Sequence, residues 1–370
     1  MIDISLLTEA VSGGSFSGSD SYVPTMEFTG ELDESTFMTA RAVVLTEAVG
    51  ISEFCHQSEE ILTEAVMNDL DRAVVISESA VDTVINKIKS IIDKIIAIFK
   101  GLINKIKAFF YTLTGKTDKW VKLIRPRARA ASQRKSKGEV EANMHEWKVE
   151  NIKKVLDSCK SETDKIKTFD IETKAKDLEN NATNKDMSDD EIDKILIREL
   201  QISCNAAGNG KAPDDLSQES MKSALNDVWE AVSGGGKTTV TIGVTKMIDE
   251  VDGSKKLKSE LDKALSAAQT AYEAAKKKLN TVDKNRRNDE EVKTMYDTKP
   301  EESETVKKDR IANMENILKF YNAYSRTLKF KADYVTGSTQ AAIKAVKTMC
   351  SEYMGAVNRF VGVRDAAVNK

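Results

Sequence analysis

Residues 81–120, VDTVINKIKSIIDKIIAIFKGLINKIKAFFYTLTGKTDKW, place an apolar side chain every three or four positions with no proline to interrupt them. Val84, Ile85, Ile88, Ile91, Ile92, Ile95, Phe99, Leu102, Ile103, Ile106 and Phe110 fall on one side of a 3.6-residue period, which predicts a long amphipathic helix. Lys87, Lys94, Lys100 and Lys105 fall on the remaining surface. Such a stripe has to be covered, either by other helices or by a membrane surface. In a chain of 370 residues, long enough for a sizeable core, the interior of a bundle is the expected place. Gly101 weakens the helix locally and predicts a bend.

The remainder agrees with a mainly α fold. Only 4 Pro and 18 Gly interrupt a chain rich in Lys, Glu, Ala, Leu and Ile, residues that lose little side-chain freedom in a helix. Further helices are expected near residues 139–158, 189–204, 217–232, 255–279, 306–334 and 340–361. Leu257, Leu261, Leu265, Ala268, Tyr272, Ala275 and Leu279 form one core stripe; Ile311, Met314, Leu318, Tyr321, Tyr324 and Leu328 form another. A helical bundle with at most a short β-hairpin is the economical architecture.

Between the first helix and this body lies KLIRPRARAASQRKSKGE. Pro126 is expected to end the helix, leaving a basic linker over residues 125–138. Arg125, Arg127, Arg129, Arg134, Lys135 and Lys137 precede any carboxylate in it and suit nonspecific contact with DNA phosphates.

Chemistry-bearing motifs are sparse. AVSGGGKTT at residues 231–239 ends like a phosphate-binding loop, but that pattern needs Gly where Ala231 stands. Its setting is also reversed, with a helical pattern before it and the β-prone TTVTIGV after it, so a glycine-rich turn into a short strand is expected. Cys55, Cys159, Cys204 and Cys350 show no paired spacing, and His56 and His145 lie far apart. No nucleophile–base grouping, metal site or cofactor motif emerges, and a non-enzymatic protein is expected. Asp3 and Glu9 precede any basic residue, arguing against a secretory signal, and no apolar run has the length of a membrane span.

The start of the chain has a different character. Residues 1–78 hold fifteen carboxylates against Arg41 and Arg72, and the first lysine is Lys87. Of the 59 acidic and 56 basic residues this leaves 44 and 54 for residues 79–370, so a leader near −13 precedes a body near +10. The opening SGGSFSGSDSYVPTMEFTGELDES has too little periodic apolar content to bury, and a disordered or weakly ordered leader is expected.

Within this leader LTEAV recurs three times. Leu7-Thr8-Glu9-Ala10, Leu45-Thr46-Glu47-Ala48 and Leu62-Thr63-Glu64-Ala65 are joined by the looser Leu32-Asp33-Glu34-Ser35 and Ile76-Ser77-Glu78-Ser79. Leu or Ile, any residue, Glu, then a small residue thus occurs five times before position 80 and not afterwards. The pattern suits a protease: an aliphatic anchor, a charged handle, and a small residue that lets the backbone approach a nucleophile. The same pentapeptide also suits short capped helices. Two degenerate matches, and the charge boundary at Glu78, favour cleavage after Glu9, Glu34, Glu47, Glu64 and Glu78, with Leu7, Leu32, Leu45, Leu62 and Ile76 as recognition residues.

This motif resembles the site cut by prohead proteases of T-even-like tailed bacteriophages, and MIDISLLTE followed by Ala10 is similar to the capsid-targeting leaders of their internal head proteins. The resemblance covers about the first fifth of the chain, and its repeated cuts depart from a single-cut leader. It implies an acidic propeptide and targeting leader (1–78), which with the elements read above divides the chain further into a basic amphipathic helix (79–124), the basic linker (125–138) and a helical body (139–370). It implies as partners a prohead protease, capsid or prohead-core proteins and packaged DNA, with synthesis in the host cytoplasm and residence inside the virion. Two other readings fit the residues: a membrane-active ejected protein using residues 84–110, and an unprocessed structural protein whose LTEAV copies dock on repeated partner sites.

Overall fold

The computed structural model describes residues 78–135, 138–181, 187–200, 215–288 and 304–362. The four earlier cleavage motifs, Ile76 and Lys137 lie outside them. In chain order the elements are α1 (Glu78–Lys135), β1 (Glu139–Met144), α2 (Val149–Thr168), α3 (Ile171–Asn181), α4 (Asp189–Glu199), α5 (Gln218–Ser233), β2 (Thr238–Gly243), α6 (Val244–Gly253), a 3₁₀ turn (Ser254–Lys256), α7 (Leu257–Asn288) and α8 (Glu304–Val361).

α1, α2, α7 and α8 make the central bundle. α1 and α2 each pack on both α7 and α8, so the ring runs α1, α7, α2, α8. Contacts fix the directions. Lys89 meets Asp283, Phe99 meets Tyr272 and Asp118 meets Lys255, so α1 and α7 are antiparallel. Glu162 meets Lys331 and Phe169 stacks on Tyr324, so α2 and α8 are antiparallel as well. The short helices α3 to α6 pack along α8.

The apolar stripe of α1 is the core side of this bundle. Ile85, Ile88, Ile92, Phe99, Leu102 and Ile106 are all fully buried, as are Leu261, Leu265, Ala268, Tyr272 and Leu279 of α7. Ile92 and Phe99 therefore face protein, and a membrane contact through them requires the bundle to open. Among the described residues no helix is long and apolar enough to cross a membrane.

Three expectations are corrected. The predicted linker at 125–138 is helical through Lys135. Pro126 lies on the solvent side beside exposed Lys122 and Arg129, where the carbonyl it leaves without a donor is open to water; Val121, Ile124 and Ala128 hold the opposite side in the core. Residues 306–361 form one helix, not two. At the expected break Val335, Ser338 and Thr339 are buried, and a buried backbone keeps its helical hydrogen bonds because water cannot replace them. Gly337 leaves room there for Leu225 of α5, whose methyl groups a Cβ would meet at 2.6 Å and would have to displace.

The third correction is at residues 139–158, where a strand precedes the helix. Val140, Ala142 and Met144 alternate with exposed Glu139, Glu141 and Asn143, and this strand pairs antiparallel with β2, from Glu139 opposite Gly243 to Met144 opposite Thr238. The glycine turn before β2 is as expected. Gly234 closes α5 in the left-handed region at φ 71°, with its α-carbon so near the Glu146 carbonyl that a Cβ would lie 2.5 Å from that oxygen. Glu352 of α8 clamps the two-stranded sheet to the bundle, accepting from the His145 backbone N–H at 3.1 Å and Trp147 Nε1 at 2.8 Å, with His145 Nδ1 at 2.9 Å.

Candidate anion-binding face

α1 carries fourteen Lys and Arg against Glu78, Asp82, Asp93 and Asp118. From Ser79 onward it holds +11 of a body that sums to +10, so the 235 residues after Lys135 are close to neutral. The positive character of the body is the property of one helix. From Lys119 to Lys135 no carboxylate interrupts the series.

The bundle sorts these cations into committed and free. Lys89 is 2.7 Å from Asp283. Arg125 donates Nη1 to Asp249 at 2.8 Å and Nη2 to Asp252 at 3.1 Å. Two of the acids of α1 are themselves answered from the neighbouring element: Asp93 by Lys276 at 2.6 Å, and Asp118 by Lys255 at 3.0 Å. Lys255 also reaches Asp252 at 2.8 Å. That hydrogen bond foremost, with the nearby Arg125 charge, holds the Asp252 carboxyl below its ordinary range, while Asp252 and Asp118 together raise the Lys255 ammonium.

Lys94, Lys100, Lys107, Lys119, Lys122, Arg127, Arg129 and Arg134 are exposed and have no ion-pair partner among the described residues. At 100° per residue Lys100, Lys107, Lys122 and Arg129 fall within about 60° of one another, on a line of about 44 Å from first to last. Tyr111, 85% exposed, lies on the same line. A row of cations around a solvent-facing aromatic ring suits a phosphodiester chain: charge neutralisation supplies affinity and the ring a stacking or packing surface.

Of the expected DNA-contact residues, Arg129 stands on this line, Arg127 and Arg134 are exposed more than about 100° around α1 from it, and Lys135 ends the helix. Arg125 differs from these, since two carboxylates of α6, Asp249 and Asp252, hold it. Lys100, Lys107 and Lys122 extend the face upstream; their recurrence on the polar side of α1 was the only sign of them in the sequence. Glu78 opens α1, and Val81 is the first buried side chain among the described residues. Lys237, in the sequence resembling a phosphate loop, is directed to Glu352 at 3.2 Å. Comparison with family models, characterised proteins and solved structures returns no match.

Proposed function

We propose that this chain is an internal head protein of a tailed bacteriophage: made in the host cytoplasm, brought into the prohead by residues 1–78, and matured by proteolysis to a basic helical product lying against packaged DNA or the inner capsid. The recurrence of Leu/Ile-x-Glu-small five times before position 80, and nowhere after it, carries the reading. In it the chain is a substrate; Glu9, Glu34, Glu47, Glu64 and Glu78 are recognition elements for a prohead protease.

Two features support it. A cut after Glu78 falls ahead of Val81, the first buried side chain among the described residues, so removing the leader costs the bundle none of its described core. The free cations of α1 give the product a face for sequence-independent phosphate contact, with no base-reading element required.

The test is the N-terminal sequence and intact mass of the protein from purified mature particles. A start at Ser79 is the expected result. A chain beginning at Met1 would make the LTEAV copies docking elements and end the maturation account.

A further inference from the structure

We infer that residues 1–77 of this chain occupy the cationic ridge of α1 before cleavage, and that the number of cuts serves to release them. The inference rests on the preceding reading for what replaces the leader, a DNA phosphate chain, but the occupancy itself stands on charge and placement. The leader carries fourteen carboxylates against two arginines before Glu78 and is covalently joined to α1. Among the described residues α1 offers it a complementary surface of comparable size, because the excess positive charge of the body lies on α1 and two of the acids of that helix, Asp93 and Asp118, are already paired with Lys276 and Lys255. Tethering makes the encounter intramolecular, at an effective concentration near the millimolar range for a flexible connection.

Reach is sufficient. The far end of the ridge, Arg129, lies 51 residues along the helix from Glu78, about 77 Å at 1.5 Å per residue. Seventy-seven residues span up to about 250 Å when extended. The leader can therefore run the length of the ridge and return.

This occupancy gives the repeats a purpose that a targeting leader alone lacks. One cut after Glu78 would free a polyanion near −13 that still competes with DNA for the same lysines. Cuts at all five glutamates divide it into pieces of formal side-chain charge −2, −5, 0, −4 and −2. None is tethered, and none keeps more than five net charges. Because electrostatic affinity rises with the number of contacts made together, dividing the chain removes the competitor where a single cut would not.

The experiment uses the full chain. Carbodiimide, which joins a carboxylate to an amine only where the two touch, is applied at low salt and the linked peptides are read by mass spectrometry. Links from leader carboxylates to Lys100, Lys107 and Lys122 are expected in excess over links to Lys153 and Lys154, exposed on α2, and they should vanish at 1 M salt. In parallel a full chain with Glu27, Glu31, Glu53, Glu59 and Glu60 replaced by Gln, which leaves every cleavage motif intact, should bind a random-sequence 30-base-pair duplex about tenfold more tightly at low salt than the unaltered chain. Links spread evenly over α1 and α2, or absent, overturn the occupancy; duplex binding by both chains would then leave the DNA reading standing. Links to α1 with no duplex binding by either chain keep the occupancy and overturn the DNA reading. Links to α1 with equal duplex binding by the two chains overturn the claim that the leader withholds the ridge.

Discussion

α1 and α8 are both 58-residue helices, and they treat polar side chains in opposite ways. α1 is covered on one side and presents lysines to water. α8 is enclosed by α1, α2 and the short helices, so its polar residues are drawn inside: Lys331 is 1% exposed, with its ammonium 2.6 Å from the buried Glu162 carboxylate. Asn316 accepts from the Met187 backbone N–H at 3.0 Å, and the Thr327 and Thr339 hydroxyls donate to carbonyls one turn back. A lysine on α8 is thus a structural commitment, whereas a lysine on the ridge of α1 is available for a partner. The bundle decides which, by surrounding one helix and leaving the other at its edge.

The largest test of that difference is on α8. Glu162→Gln leaves the Lys331 ammonium buried without its carboxylate and should destabilise the protein by about 3–5 kcal/mol, read from the urea midpoint. Replacing both, Glu162→Leu with Lys331→Met, should recover most of the loss because the desolvated charge is gone. A loss under about 1 kcal/mol for Glu162→Gln would mean that Lys331 finds water, and that α8 is less enclosed than its burial implies.

Next in size is the packing that carries α8 past its expected break. Gly337→Val places methyl groups where Leu225 of α5 already stands and should cost about 1–3 kcal/mol. Leu225→Ala in the same chain should return part of it, since the space then exists. Without relief in the double variant, the clash is not with α5 and the account of Gly337 is wrong.

How far the sequence alone revealed this molecule depended on the distance between cause and effect. The stripes of α1 and α7 were legible because apolar periodicity is written within a single helix, and the start of α4 because Ser188 and Glu191 form a capping box over three residues. Strand β1 was not legible: EVEANM is short, and its partner Thr238–Gly243 lies about a hundred residues away. The passage of α1 through Pro126 and of α8 through Gly337 depended equally on neighbours. For the candidate face, Arg129 was legible within a charge run, but not that Arg127 and Arg134 of the same run lie on another side of the helix. That Arg125 is spent on Asp249 and Asp252, and that Asp93 and Asp118 are answered from outside α1, required the bundle.

On α1 the same comparison predicts almost no structural effect. The variant Lys100→Gln, Lys107→Gln, Lys122→Gln, Arg129→Gln should change stability by no more than about 0.5 kcal/mol per site, since these side chains have no ion-pair partner among the described residues. Duplex binding should respond instead, with the slope of log affinity against log salt falling by roughly 3–4. Gln at Lys153 and Lys154 of α2 should leave that slope unchanged. An equal effect from both sets would reduce the ridge to ordinary surface charge.

The smallest effect expected is at the junction where α1 passes from core to free face. Asp252 binds Arg125 and Lys255, and its carboxyl is held below the ordinary value of 3.8, first by the Lys255 hydrogen bond. A carboxyl lowered in the folded state stabilises it fully above the unfolded value and loses that contribution as pH falls through the lowered one. The side chain is 35% exposed, so solvent screening limits the contribution to under about 1 kcal/mol. The stability gap between the native protein and Asp252→Asn should therefore be constant from pH 7 to about 5 and close as pH drops below about 4. The Arg125→Gln chain should show a narrower closing range, because one of the partners lowering Asp252 is gone. A gap that widens on acidification would mean that Asp252 is stabilised in its protonated form, and that Arg125, freed of it, belongs with the ridge after all.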